Sequence, residues 1–186
     1  METKKIASVD ANDHLDVTPN VNFLSTLRNS GYNNYAAIAD IVDNSLDTNV
    51  NSNVINIWIK KTKEEFEHIK ICDDGCGMDT ATLKEAFKLG AITGKNREFD
   101  LGSYGTGLKA AALSIGKRFE VRTKSANDAF FIATYDLDLL TNLNSFKIPV
   151  RVGTEDEYKE FKEDTGCETG TVVILSKLDR ISNQNK

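Results

Sequence analysis

With 186 residues, 40% of them hydrophobic and 27% charged, the chain is long enough to bury a core and fits one globular domain. A formal net charge of −5 indicates no general nucleic-acid-binding surface, though it leaves room for a local basic patch. No run of about 18 apolar residues occurs, so no membrane span is expected. Met1 to Asp16 has no apolar core of the kind a signal peptide carries. Cys72, Cys76 and Cys167 form neither a dense framework nor a CxxC pair, and His14 and His68 are the only histidines. A reduced, intracellular compartment is therefore expected, cytoplasmic or, in a eukaryote, nuclear, and a zinc site is not.

In chain order, residues 1–17 are polar and read as an N-terminal arm. Thr18-Pro19 opens a helix, with Val21, Leu24 and Leu27 at three-residue steps and Gly31 as its stop. Asn33 or Asn34 caps a second helix over Tyr35–Thr48, with Tyr35, Ile38, Val42 and Leu46 as its expected buried stripe. Asp40, Asn44 and Asp47 stand at i, i+4 and i+7 and share another face of that helix, with Asp43 beside them. Such a face can bind a metal or activate water, or it can simply be solvated.

Val54–Lys60 alternates as a strand and Phe66–Cys72 as its antiparallel return, ending at Asp73. The glycines of DDGCGMD (73–79) mark a tight loop. Asp79 or Thr80 then caps a short helix with Leu83, Ala86, Phe87 and Leu89 inward, ending at Gly90. Ala91–Ser103 has no periodicity and is expected to be a mobile loop, with Lys95 and Arg97 solvated. Gly102, Gly105 and Gly107 lead into a helix over Leu108–Ile115, and a glycine-rich turn feeding a helix N-terminus is a ready anion site.

Strands follow at Arg118–Thr123, Ala129–Tyr135, Ser145–Val152 and Thr171–Ser176, with a short helix at Asp156–Phe161. This order predicts an α+β fold: a two-layer α/β sandwich with a mixed, mostly antiparallel sheet and helices on one face. The domain is expected to run from 18 to 180, with 181–186 a flexible tail, and to be one part of a longer protein.

Individually these signals are weak. The glycine loop matches neither the Walker loop nor the dinucleotide fingerprint. Asp73 alone reads as a turn residue, Thr171 as an ordinary strand residue and Lys109 as a solvated first-turn lysine. Together, and in this order, they resemble the GHKL superfamily of ATPases (gyrase, the ninety-kilodalton heat-shock chaperone, histidine kinases, MutL) over residues 20–178. DNSLD (43–47) and DDGCGM (73–78) look like the MutL versions. GSYGTGLKAA with IGKRFEVRTKS (102–125) is most similar to the microrchidia (MORC) branch.

The resemblance implies the Bergerat type of sandwich and an ATP/ADP site that uses Mg²⁺. It implies Asn44 as the magnesium ligand and Asp47 in the site. Asp73 would accept from the adenine amino group, with Gly75, Gly77 and Met78 around the base and Thr171 near adenine. Gly102, Ser103, Tyr104, Gly105, Thr106, Gly107 and Leu108 would wrap the phosphates, with Lys109 adding a positive charge. Asp40 occupies the position where the family carries a glutamate as general base, one methylene or about 1.5 Å short. The resemblance further implies a lid over about 90–104 that orders on ATP, and homodimerisation of the ATP-bound form through residues 1–17. DNA is a partner by analogy alone. The alternatives are a nucleotide switch with little hydrolysis and a protein kinase.

Overall fold

In a computed structural model, which describes residues 21–29, 31–47, 50–89 and 107–181, six helices and six strands are present among the described residues. They are α1 (Phe23–Leu27), α2 (Asn34–Leu46), β1 (Ile55–Lys61), β2 (Phe66–Asp73), α3 (Thr80–Phe87), α4 (Gly107–Ile115), β3 (Arg118–Lys124), β4 (Phe130–Asp136), α5 (Leu137–Asn142), β5 (Val150–Val152), α6 (Glu155–Thr165) and β6 (Gly170–Ser176). The strands form one sheet in the order β1-β2-β6-β3-β4-β5, and each neighbouring pair is antiparallel. The fold is thus the expected α+β sandwich. The expected arm at 1–17, Thr18-Pro19, all of 90–106 and the residues from 182 on lie outside the described residues.

Strand periodicity of two sorts the sheet into two faces. Ile69, Ile71, Phe119, Val121, Val173 and Leu175 point to the face covered by α1 to α4 and form the main core with Leu24, Ile41 and Leu113. Cys72, Phe130, Ile132, Val172 and Ile174 point the other way and pack on Phe161 of α6. Placing all helices on one face was therefore incomplete, because α6 covers the second. Its N-terminus is fixed by a capping box between Thr154 and Glu157, and it ends at Gly166 with φ 73.

The buried stripe of α2 also differs from the expected one. Tyr35 is 88% exposed and Leu46 60%, whereas Ala37, Ile41 and Ser45 are buried. The large apolar side chains dominated the periodicity. The helix instead turns its small residues toward α4, whose Ala110, Ala111 and Ala112 let the two helices approach closely. Ile38 and Val42 flank this contact, half-buried.

Two further differences lie near the fourth strand. The expected strand at 145–152 shrinks to Val150–Val152, because Pro149 has no N–H to give a ladder and Asn144 sits at φ 45. The helix α5 follows β4 directly, its first amides capped by the Asp136 carboxylate.

Candidate functional site

The site is built where β2 ends and β6 begins, beneath α2. Asp73, the last residue of β2, is paired in register with Thr171 of β6, and Thr171 with Thr123 of β3, so the three stand in a row on the helix-covered face. Asp73 is 4% exposed. Its Oδ1 accepts from the Gly75 and Thr171 amides at 3.1 and 3.2 Å, and its Oδ2 accepts from Ser45 Oγ at 2.9 Å. A carboxylate has about four lone-pair directions, so Oδ2 keeps the capacity for one more donor. Burial raises the Asp73 pKa, and the bonds from Ser45, Gly75 and Thr171 oppose that rise.

Thr123 ties the glycine loop to this row. Its hydroxyl accepts from the Met78 amide at 2.8 Å and donates to the Gly170 carbonyl at 3.1 Å. The glycines of the loop serve the protein's own packing. A side chain at Gly75 would collide with Val50, and one at Gly77, where φ is +66, with the Lys124 carbonyl. That is a more direct reason for glycine than approach to a base. Met78 is half-buried against the core.

At the other end, α2 presents Asp40 and Asn44. Asn44 Nδ2 donates to the Asp40 backbone carbonyl at 2.8 Å, which turns its side-chain oxygen outward for other use. Tyr32 donates its hydroxyl to Asp40 Oδ2 at 3.1 Å. The same Oδ2 lies 3.1 Å from where a Cβ would stand on Gly107, so the carboxylate abuts the first residue of α4. Gly102, Ser103, Tyr104, Gly105 and Thr106 lie outside the described residues.

Lys109 departs from its reading as a solvated lysine. It is 1% exposed, and its ammonium donates to the Ala86 carbonyl of α3. Burial lowers its pKa to about 8.

Asp40, Asn44, Ser45, Asp73, Met78, Gly107, Lys109 and Thr171 line one cavity of about 410 Å³, together with Asp47, Gly77, Leu108 and the apolar walls Ile41, Val121 and Val173, while Tyr32 and Thr123 support it from outside the lining. Gly75 stands behind it as a backbone donor to Asp73. Of the described lining residues, four are carboxylic (Asp40, Asp47, Asp73, Glu85) and one is cationic (Lys109). Such a cavity suits a polyanion only when a divalent cation and a helix N-terminus share the charge. Among the described residues no group of three or more His, Cys, Asp or Glu is placed to hold a metal. The Asn44 oxygen fits a magnesium ion that takes most of its shell from phosphate and water.

Three site residues escaped the sequence reading: Tyr32, Ser45 and Thr123. Ser45 had a signal, since it is a polar residue at i+4 from buried Ile41. Tyr32 and Thr123 had none, because their roles rest on contacts across 8 and 47 residues.

The profile of the histidine kinase-, DNA gyrase B- and HSP90-like ATPases matches residues 32–171. The mouse MORC family CW-type zinc finger protein 3 is 33% identical over 161 residues, covering 82% of this chain and 16% of that protein. Human ATPase MORC2 is 31% identical over 93 residues, 48% of this chain and 9% of its own. The nematode ATPase morc-1 of Caenorhabditis elegans is 30% identical over 105 residues, 56% of this chain and 12% of its own. The chain thus spans only a small part, 9% to 16%, of these curated relatives. No helix among the described residues is long and apolar enough to cross a membrane. The matched stretch runs from the tyrosine that holds Asp40 to the threonine opposite Asp73, and it places the chain in the histidine kinase-, DNA gyrase B- and HSP90-like (GHKL) ATPase family, aligned with its MORC members.

Proposed function

We propose that this domain binds ATP with Mg²⁺ and hydrolyses it. The observation that carries the reading is the Asp73 carboxylate. It is nearly fully buried at the cavity floor, held by three protein donors, and still able to accept one more. An exocyclic adenine amino group supplies that donor, and bonds to a charged acceptor contribute about 1.5–3 kcal/mol. Thr171 stands beside it, and Met78, Val121 and Val173 supply apolar surface for the base. The phosphates then run toward α4, where Gly107 and Leu108 begin the helix. Asn44 would contribute one oxygen to the magnesium ion. When bound, the ion offsets the phosphate charge among the cavity's carboxylates. Lys109 holds the wall of α3 through Ala86 and brings a cation to the same cavity.

Asp40 is the base. Its carboxylate accepts a proton from water at the phosphate end while Tyr32 fixes its orientation. The decisive experiment measures ATP-analogue affinity and phosphate release for the wild type, Asp40→Asn and Asp40→Glu. Asp40→Asn is expected to keep affinity and lose phosphate release. Retained turnover in Asp40→Asn would remove Asp40 from the mechanism.

One observation favours a second reading, a nucleotide switch that hydrolyses slowly. The shorter aspartate already spends one oxygen on Tyr32 and Gly107 borders it. A many-fold gain in phosphate release in Asp40→Glu would show the native residue to be a brake. The lid at 90–104 and the arm at 1–17 lie outside the described residues and carry one test. A non-hydrolysable ATP analogue is expected to convert monomer to dimer in sedimentation velocity.

A further inference from the structure

A second cavity, of about 420 Å³, lies on the far side of α3. Leu83 and Phe87 of α3 form one wall, and Phe131, Ile148 and Val150 of the β4–β5 margin form the other. Phe87 also borders the larger cavity, so α3 separates the two. The floor includes Tyr135. It stacks on Phe119 at 5.1 Å between ring centroids, and Phe119 stacks on Phe87 at 5.7 Å.

Tyr135 is 3% exposed, and its hydroxyl makes no hydrogen bond with any described residue. A buried hydroxyl without a partner costs about 1–3 kcal/mol. Core packing needs the ring and not the oxygen, since phenylalanine would stack equally well on Phe119. Tyr135 lines the cavity, so its hydroxyl is available there as a donor. Burial also raises the pKa of this phenol, which keeps it a donor throughout the neutral range. The charged side chains among the described lining residues are both cations and both exposed, Lys84 on α3 and Lys88 directly after it. Lys88 is paired with Glu85. An apolar slot with a donor at its floor and lysine at its mouth describes its ligand by complement.

We propose that this cavity is a second ligand site, for a small aromatic monoanion whose apolar body lies between α3 and the β4–β5 margin, whose carbonyl oxygen accepts from Tyr135, and whose carboxylate meets Lys84. It is a non-covalent site and does not depend on what the larger cavity binds.

The test uses 4-benzoylbenzoate, which has an apolar body, a carbonyl and a carboxylate, and 4-benzylbenzoate, which lacks the carbonyl. Calorimetric titration of the full chain is expected to show saturable binding, with the benzoyl compound preferred about two- to tenfold, the worth of one neutral hydrogen bond. Tyr135→Phe, isosteric in the stack, is expected to erase that preference. Lys84→Glu is expected to weaken both compounds. Irradiation of bound 4-benzoylbenzoate is expected to label Leu83, Phe87 or Val150, with labelling unchanged by saturating adenylyl imidodiphosphate and Mg²⁺. Absence of saturable binding overturns the proposal. So does a preference that survives in Tyr135→Phe, or competition by the nucleotide analogue, which would put the probe in the larger cavity.

Discussion

The two faces of the sheet bury charge in opposite ways. Beneath α6, Arg118, Glu120, Arg122, Glu160, Lys70 and Asp164 form a continuous chain of ion pairs at 2.7–2.8 Å. Lys70 loses solvation there, yet its bonds to Asp164 and Glu160 outweigh that loss and its pKa rises. Beneath α2 and α4, Lys109 donates to the Ala86 carbonyl, and there the loss of solvation lowers its pKa to about 8. Asp73 shows the same contrast with Glu120. Glu120 accepts from two arginines and the Thr134 hydroxyl, whereas Asp73 meets neutral donors only and its pKa is raised. A charge compensated in place is a structural element. Asp73, buried among neutral donors, keeps an oxygen able to accept from a ligand in the cavity.

The sharpest way to break this comparison is Arg122→Ala. It removes the link between Glu120 and Glu160 while Arg118 still holds Glu120, and should cost about 1.5–3 kcal/mol of unfolding free energy, the worth of a charged hydrogen bond. Nucleotide affinity should stay unchanged, and a parallel loss in titration calorimetry would mean that the faces are not separable. Asp73→Asn should do the reverse. ATP-analogue affinity is expected to fall about 10- to 100-fold, the worth of a charged hydrogen bond, with the thermal midpoint held or raised. Equal affinity in the variant would take Asp73 out of the recognition.

Lys109→Met tests the cost of the buried ammonium. Because the folded pKa of about 8 lies below the ordinary 10.5, the folded state binds fewer protons between these values. Wild-type stability should therefore rise with pH across that window, on the order of 1–2 kcal/mol, and the Lys109→Met difference curve should show it. The smallest effect is on the other face and has the opposite pH sense. Bonds to Lys70 and then Arg122 lower the Glu160 pKa from 4.5 to about 2. Its contribution is complete above pH 4.5 and is lost as the pH falls toward 2. Solvent screens this half-exposed side chain, so Glu160→Gln should shift acid unfolding by less than about 1 kcal/mol.

The parts of this molecule that could be read from its sequence are those signalled locally. β2 and its end at Asp73 were marked by alternation and then by glycine. Asp79 was marked as the cap of α3, and its side chain does accept from the Thr82 amide. The helix α6 was expected too short, although Thr154, Glu157 and Gly166 bound it on both sides. The hidden parts depend on tertiary partners. Tyr35 and Leu46 carry the apolar weight of α2, but α4 selects Ala37, Ile41 and Ser45, and only the packing partner decides that. Lys109 sits in a first turn, where lysine is ordinarily wet. Its burial follows from α3 lying over it. The second cavity had no sequence signature, because Tyr135 in an alternating strand looks like any other inward aromatic.

The place of β6 in the sheet sets an order of assembly. This strand, last of the six in the chain, is inserted between β2 and β3, and its Thr171 reaches Asp73 across 98 residues. Until Gly170–Ser176 has been made, neither the β1–β2 hairpin nor β3 has its β6 partner, so the sheet cannot be joined before then. Such long-range pairing is slow to form and leaves strand edges exposed while it waits. The final strand thus serves as a completion signal, since the floor of the cavity does not exist until almost all of the domain has been made.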